Sequence, residues 1–310
     1  MTQTHAQPAE AETHALPAEA VRAAIVAGQE RLCALLPALT DDAVREPGEL
    51  PGWTRAHVLS HIEGVAVALA RQARYALRGE LIEPYDGGRP ARAAAIEAGA
   101  GRGAAALGDA VRAAPAEASA AWAAVGPADW PRPVTHRHGA LRSALLCWWR
   151  ELEIHTADAR IGHGPRDWPQ ELCRHLLDHL APRAPKDLQL VLTATDDTLT
   201  RRYGDAAAPA VTVSGPLTDL AAWLAGRTPH HPLDCRRSGR TVPPPELLDC
   251  PHPPRPRPRR RLAEGQHAPC PAPGPPRLPS STSGRRAWVR SLPRSGSART
   301  GRYGSLPTTP

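Results

Sequence analysis

Phenylalanine is absent from this sequence, and lysine occurs once, at Lys186, among 310 residues. Because alanine, arginine, glycine and proline are abundant instead, tryptophan and leucine must supply most of the bulky packing in any core. No apolar run approaches the roughly 18 residues that a membrane-spanning helix needs. The sequence therefore predicts a globular protein with no membrane partner.

Cysteines are few, and their spacing is irregular. The six lie at positions 33, 147, 173, 235, 250 and 270, with no CxxC pair among them. This pattern excludes a regular disulfide framework, and the N-terminal residues lack the basic and then apolar regions of a secretory signal. We therefore expect free thiols and a cytoplasmic location.

The net charge of +7 is concentrated at one end of the chain. From His230 onward there are 15 arginines against 4 acidic residues, whereas residues 1–229 carry 23 basic against 27 acidic residues. The part before His230 thus lacks the basic surface of a nucleic-acid-binding domain. Electrostatic binding of an anionic polymer by the arginine-rich tail stays an alternative, although that tail has just one tryptophan and one tyrosine to stack on bases.

Helical patterns dominate the first 182 residues. Residues 1–16 are polar and predict a flexible leader, and residues 17–182 predict a helical bundle. Its expected helices cover 17–39, 54–79 with Thr54 as N-cap and Gly79 as stop, an alanine-rich stretch over 91–125, 140–162, and a last helix capped by Asp167.

The pattern changes at Asp187. Two alternating segments joined by a Thr/Asp turn, a third segment "APAVTVSG", and a short helix with Pro216 near its first turn predict a small α/β domain over 183–230. After it, proline, arginine, serine and glycine predominate, with too few apolar residues to offset the entropy of ordering, so residues 231–310 predict a disordered tail. The fold class is mainly α, a helical bundle followed by this small domain.

The stretch "CWWRELEIHTADARIG" places polar groups on an otherwise apolar helix. Glu151 and His155 are four residues apart and share one face, whereas Glu153 lies about 160° from His155 around the helix axis. A carboxylate oxygen beside an imidazole nitrogen suits a divalent metal such as Zn²⁺, but the same pair also occurs on solvated helices without a metal. Asp158 either accepts a hydrogen bond from the His155 imidazole and orients that ring behind the metal, or only occupies the helix end.

A third ligand could come from "AHVLSHIEG", which holds His57 and His61. We prefer His61, because it lies at the edge of the apolar side of its helix, whereas His57 is nearer the loop. Two histidines and a glutamate would leave a coordination position open, as in catalytic metal sites. The remaining bundle histidines have no such partners, and we interpret them as surface or loop residues: His136, His138, His163, His175 and His179.

Three segments together resemble the mycothiol-dependent maleylpyruvate isomerase family. They are "LPGWTRAHVLSHI" at 50–62, "RELEIHTADARIG" at 150–162 and "VTVSGPLTDLAAWLAGR" at 211–227. The resemblance covers about residues 17–229 and implies a DinB-like four-helix bundle with a small C-terminal domain similar to sterol carrier proteins. It implies His61, Glu151 and His155 as metal ligands. It places Arg227 near the substrate or the thiol cofactor as a catalytic residue that would hold substrate carboxylates and stabilise the developing enolate, although Arg227 could equally cap a helix.

The resemblance also implies the chemistry. Mycothiol would supply a thiolate at Zn²⁺ or another divalent metal, for addition to a small electrophile such as maleylpyruvate. Addition, rotation and elimination would give cis–trans isomerisation, and addition alone would be S-transfer. A non-catalytic metal- or ligand-binding bundle is the alternative. Family members normally end soon after the C-terminal domain, so the tail resembles translation in an altered reading frame, and the small domain would then be truncated.

Overall fold

The computed structural model describes residues 16–246, and most of these residues lie in helices. The helices are α1 (Ala18–Leu35), α2 (Arg55–Leu77), α3 (Gly88–Ala100), α4 (Ala104–Ala123), α5 (Leu141–Asp158), α6 (Gln170–His179) and α7 (Leu217–Leu224). The strands are β1 (Gln189–Ala194), β2 (Thr200–Tyr203), β3 (Ala210–Gly215), β4 (Asp234–Arg237) and β5 (Arg240–Thr241). No helix within this range is long and apolar enough to cross a membrane.

Helices α1, α2, α4 and α5 form a four-helix bundle, in which each helix packs against two of the others. Helix α3 lies against α2, outside this ring. The largest fully buried side chains include Trp122, Trp148 and Trp149 together with many leucines, as expected for a chain without phenylalanine. The predicted fold class, a mainly α bundle followed by a small α/β domain, is confirmed.

The alanine-rich stretch is two helices, so the prediction of one helix over 91–125 is wrong. Helix α3 ends at Ala100, and α4 begins at Ala104 after a short glycine-containing break. Arg45 donates to the carbonyl oxygens of Ala100, Gly101 and Arg102, which satisfies acceptors that a helix end leaves free. These contacts fix the end of α3 and leave α4 free to start in a new direction.

The ends of two other helices test the predicted caps. Thr54 caps α2 and Gly79 follows its end in a left-handed conformation (φ +76°), both as predicted. Asp167 does not cap α6, and that prediction is wrong. The helix begins after Pro169, and the Asp167 carboxylate instead accepts from the backbone N–H of Gly164 at 2.9 Å, within a short turn.

The small domain is built on a five-stranded sheet with strand order β2-β1-β3-β4-β5. Strands β1 and β3 are parallel, with Leu192 opposite Val213, and the other neighbouring pairs are antiparallel. Helix α7 packs on β1 and β3, and α6 packs on α7. The three predicted strands and the helix after Pro216 are confirmed.

The prediction of disorder from residue 231 is wrong for β4 and β5, which extend the sheet. Only Cys235 of β4 is buried, so the segment carries almost no apolar signal for a strand. Ser238 and Gly239 both have positive φ and join the two strands in a tight hairpin. The predicted leader at 1–15 and the rest of the predicted tail, 247–310, lie outside the described residues.

Candidate metal centre

Helices α2 and α5 bring His61, Glu151 and His155 together. The Nε2 atom of His61 lies 3.1 Å from Glu151 Oε2, and the Nε2 atom of His155 lies 3.2 Å from the same oxygen. One ligand atom from each residue falls within 4.8 Å of the other two. The carboxylate and the two imidazoles therefore converge on one small volume.

The packing of α2 against α5 produces this convergence. Glu151 and His155 lie one turn apart on α5, and His61 reaches them from α2, where Val58 and Ile62 are also buried. His61 is 2% exposed. An imidazole in such a position has little water to bind, so its polar atoms need protein or ligand partners.

His57 lies outside this cluster. Its Nδ1 atom is 2.7 Å from the Thr54 hydroxyl oxygen, and it also accepts the Thr54 backbone N–H at 3.2 Å, which completes a capping box at the start of α2. The other ring nitrogen is 3.5 Å from Glu97. The structure thus brings His61 to Glu151 and leaves His57 at the helix end.

The three groups carry different charges. Burial would raise the pKa of Glu151, but hydrogen bonds from His155 and His61 outweigh it and hold that pKa well below its ordinary value. Burial and the nearby charge of His155 lower the pKa of His61 to about 4. Burial would also lower the pKa of His155, but hydrogen bonds to Asp158 and Glu151 outweigh it and raise that pKa to about 9. Near neutral pH the cluster thus holds an anion, a neutral imidazole and an imidazolium.

Asp158 orients His155. His155 Nδ1 donates to Asp158 Oδ2 at 2.8 Å, which leaves its Nε2 atom directed at Glu151. Asp158 is fully buried, and burial would raise its pKa, but hydrogen bonding to His155 and the charge of Arg227 lower it to about 2. The carboxylate is therefore ionised at every pH at which the protein would be assayed.

Arg227 is also held in place by this carboxylate. It follows α7 and Gly226, and it donates from Nε and one terminal nitrogen to the two oxygens of Asp158, at 3.0 and 2.6 Å. Its other terminal nitrogen donates to the Ala225 carbonyl oxygen at 2.6 Å. The family resemblance implied a place for Arg227 near substrate or cofactor. In the structure its guanidinium contacts Asp158, which in turn contacts His155.

The loop before α2 closes over the end of α5. The Glu49 backbone N–H donates to the carbonyl oxygen of Asp158 at 2.8 Å, and Gly48 lies so close that an added Cβ would be 3.1 Å from that oxygen. A side chain at position 48 would therefore require the loop or the helix end to shift by a few tenths of an ångström. The segment "ELPGW" thus holds the backbone of Asp158, and Arg227 holds its carboxylate.

Glu153 belongs to the opposite face of α5 and has a separate partner. Its Oε1 accepts from Arg31 of α1 at 2.5 Å, and Gly28 makes room for it, since a Cβ there would lie 2.7 Å from Oε1. Burial raises the pKa of Glu153 to about 7, although the charge of Arg31 opposes this shift. The second glutamate of "RELEIH" is thus a buried packing residue outside the cluster.

Other polar residues near the cluster were not singled out by the sequence. Arg92 of α3 places a terminal nitrogen 3.0 Å from His61 Nδ1, and its guanidinium carbon lies 5.7 Å from the ring centroid of Tyr85. Arg150 lies 2.7 Å from His175 Nε2. Neither arginine has a sequence signal beyond a charge on a helix, because the contacts depend on packing between helices.

The interpretation of the other histidines as surface or loop residues is wrong for His175 and His179, which are partly buried on α6 and stack on each other at 5.9 Å. His175 also stacks on Trp149 with a centroid distance of 5.7 Å. Burial and the charge of Arg150 lower its pKa to about 4, so it accepts the hydrogen bond from Arg150 as a neutral ring. His163 lies in a loop as expected, but only 6% of its side chain is exposed.

Exposure of the three cluster side chains differs and shows where a small molecule could reach them. The His61 side chain is 3% exposed and that of His155 is 10% exposed, whereas a quarter of the Glu151 side chain is accessible. The histidines are thus closed in by protein, and solvent reaches the cluster at Glu151.

Comparison with known protein families decides which family this arrangement belongs to. The model of the mycothiol maleylpyruvate isomerase N-terminal domain matches residues 25–160, and that of the C-terminal domain of the same family matches residues 167–248. The chain belongs to the mycothiol maleylpyruvate isomerase family. The predictions that the chain resembles this family and that it is an enzyme are confirmed.

Two solved structures share the fold of this isomerase family member. The crystal structure of the mycothiol-dependent maleylpyruvate isomerase is 25% identical, with a TM-score of 0.65, and the match covers 74% of this chain and 97% of that one. A histidine-to-alanine mutant of the mycothiol-dependent maleylpyruvate isomerase is 24% identical, with a TM-score of 0.64 and the same coverage. Comparison with curated proteins gave no match.

The two family models also bear on the domain boundary. They divide the chain between residues 160 and 167, whereas the sequence-based boundary lay at 182/183. Helix α6 falls in the second model, and its packing against α7 agrees with that division. We propose that α6 belongs to the C-terminal domain, which then continues through β4 and β5.

Proposed function

We propose that this chain is a metal-dependent, mycothiol-using enzyme that acts on a small electrophile such as maleylpyruvate, by cis–trans isomerisation or by S-transfer. His61, Glu151 and His155 would hold the metal. The observation that carries the proposal is the convergence of their three ligand atoms within 4.8 Å at the packed surface of α2 and α5. Family membership and the names of the two similar structures support the thiol and the substrate.

The donor set fits a divalent metal, and Zn²⁺ in particular. Two imidazole nitrogens and one carboxylate oxygen are the ligands that Zn²⁺ takes in catalytic sites, which keep a further position open. Each of these atoms has a partner inside the cluster in this structure, and a cation would replace the hydrogen bonds to Glu151 by bonds to all three residues. When bound, such a metal would act as a Lewis acid and favour the thiolate form of a thiol.

Residues around the cluster would hold the ligands in position. Asp158 accepts the Nδ1 proton of His155 and so fixes the ring with Nε2 directed at the cluster. Arg227 neutralises Asp158 with two hydrogen bonds. Since its guanidinium is already bound to Asp158 and Ala225, we assign Arg227 a positioning role, and the predicted contact with substrate stays a prediction.

Bound metal in the purified protein is the first measurement. We expect near-stoichiometric zinc in the unmodified chain, and loss of that zinc in His61→Ala and in Glu151→Ala. His57→Ala is the matched control, because His57 lies one turn from His61 but caps the helix. It should cost about 1 kcal/mol of stability and keep the metal. Absence of metal from the unmodified protein after reconstitution would overturn the proposal.

Assays with thiol then separate the possible activities. Thiol-dependent conversion of a cis to a trans dicarboxylate would establish isomerisation, and a stable thioether product would establish S-transfer. Metal binding without turnover would favour the non-catalytic bundle. Anionic-polymer binding by the tail concerns residues that mostly lie beyond position 246, and that alternative stays a prediction, as does the cytoplasmic location.

A further inference from the structure

Arg92 brings a positive charge to the cluster without a carboxylate to balance it. Its guanidinium contacts His61 Nδ1 at 3.0 Å and lies over the ring of Tyr85 at 5.7 Å. Within residues 16–246 it forms no ion pair, unlike Arg31, which pairs with Glu153, and Arg227, which pairs with Asp158. A half-buried arginine that is not paired with a carboxylate has a guanidinium able to bind an anion.

The contact with His61 depends on where the imidazole carries its proton. Arg92 is only a donor, so His61 Nδ1 must be the acceptor, and the ring proton is then on Nε2, where it is donated to Glu151. A metal bound through Nε2 leaves the proton on Nδ1. Two donors would then face each other across 3.0 Å, so Arg92 would lose this acceptor and keep its hydrogen bond and cation–π contact with Tyr85.

The described part of the chain offers Arg92 no carboxylate in place of that acceptor. Arg150 provides the contrast, because its acceptor is His175 Nε2, which is not part of the cluster and keeps its lone pair when a metal binds. Of these two arginines, Arg92 is therefore the one that loses a hydrogen bond on metal binding, the bond to His61 Nδ1. Tyr85 keeps its guanidinium beside the cluster through the cation–π contact.

We propose that Arg92 binds a carboxylate of the substrate beside the metal ligands, and that metal binding at His61 frees it to do so. The inference rests on the proposed function, since it assumes a metal at His61, Glu151 and His155. It adds a recognition group for carboxylate substrates on α3. The electrophile is thereby expected to be an anion that presents a carboxylate to the partly exposed guanidinium of Arg92.

The test measures binding of maleate to zinc-loaded protein by isothermal titration calorimetry, after zinc content has been determined on the same samples. Arg92→Ala should weaken maleate binding about tenfold or more, because a charge-assisted, two-pronged contact is lost. Arg92→Lys should be intermediate, since lysine keeps the charge but not the fork. Arg89→Ala is the matched control, an exposed arginine one turn earlier on α3, and it should bind maleate as the unmodified chain does.

Two further arms separate Arg92 from a general charge effect. Maleamide, the uncharged diamide, should bind weakly and equally to the unmodified chain and to Arg92→Ala. Arg92→Ala should weaken maleate binding less in the metal-free protein than in the zinc-loaded protein. Without zinc, the guanidinium of Arg92 is already hydrogen-bonded to His61 in the unmodified chain.

The outcomes distinguish this inference from the proposed function. Equal maleate affinity of zinc-loaded Arg92→Ala and Arg89→Ala would overturn the role of Arg92 and leave the metal site standing. Loss of zinc in Arg92→Ala would show that Arg92 only supports His61, and would also overturn the inference. Failure of the unmodified chain to bind zinc would overturn both.

Discussion

Glu151 and Glu153 lie two positions apart on α5, and their carboxyl groups behave in opposite ways. Glu151 accepts hydrogen bonds from two imidazoles, and its pKa lies well below the ordinary value. Glu153 has Arg31 as its close partner, that arginine is more than one-third exposed, and the pKa of Glu153 is raised to about 7. Glu153 is almost fully enclosed, whereas a quarter of the Glu151 side chain is accessible, so enclosure and the number of hydrogen-bond donors together decide which carboxyl is ionised.

The largest expected difference between the two glutamates is in metal binding. Glu151→Gln keeps the shape but loses the anionic ligand, and one ligand of a zinc site contributes roughly 3–4 kcal/mol, so zinc affinity should fall about 100- to 1,000-fold. Glu153→Gln should leave zinc affinity within about twofold of the unmodified chain. Competition with a chelator measures both. Equal losses would show that Glu151 is no more a ligand than Glu153.

Glu153→Gln should instead change stability. The pKa of Glu153 is about 7 in the folded protein and 4.5 in the unfolded chain. The free energy of unfolding should therefore fall by about 3 kcal/mol as the pH rises from 4.5 to 7. Glutamine mimics the protonated form, so the variant should match the unmodified chain below pH 4.5 and exceed it by that amount at pH 8. Urea unfolding at both pH values measures the difference. A variant less stable at pH 8 would show that the Arg31 ion pair outweighs burial.

The pH dependence of zinc affinity tests the charges of the three cluster residues. His155 has a folded pKa of about 9, above its ordinary 6.5, so its contribution to the stability of the metal-free protein is complete below pH 6.5 and is lost as pH rises through 9. Its proton must leave for a metal to bind, whereas His61 is already neutral and Glu151 already ionised. Zinc affinity should therefore rise about tenfold per pH unit between pH 6 and 8. A flat profile would mean that His155 is neutral.

The smallest expected effect concerns the support behind His155. Arg227→Lys keeps a charge near Asp158 but loses the two-pronged contact, and zinc affinity should fall about tenfold, in line with other residues that hold a metal ligand in place. Arg236→Ala, at an exposed ion pair of the same domain, is the control and should change nothing. If zinc affinity is unchanged in Arg227→Lys as well as in Arg236→Ala, Arg227 does not support the metal ligands and serves only to connect the two domains.

Periodicity was enough to predict the contacts that lie within one helix. Glu151 and His155 share a face because the helix repeat puts them there, and the cap at Thr54 follows from the residues beside it. The choice of His61 over His57 drew on the apolar side of α2 and on the family resemblance. For these residues, local geometry and the chemistry of the side chains carry the prediction.

Contacts between distant segments were beyond such reasoning. The bond between Arg227 and Asp158 joins residues 69 positions apart, and nothing in either neighbourhood specifies the partner. Arg92 likewise depends on how α3 lies against α2. Strand β4 was missed because a strand with Cys235 as its buried side chain has no apolar alternation, although Ser238–Gly239 is a recognisable hairpin signal.

The guanidinium of Arg227 has a consequence for how this protein could be rearranged in evolution. All three residues of the cluster come from the bundle, yet one of the two cations that contact the buried Asp158, Arg227, comes from the second domain. A bundle inherited alone, or joined to a different partner domain, would leave the Asp158 carboxylate with His155 as its remaining charged partner. The two domains are thus expected to be passed on together, because a recombination point between them would separate a charge from its counter-ion.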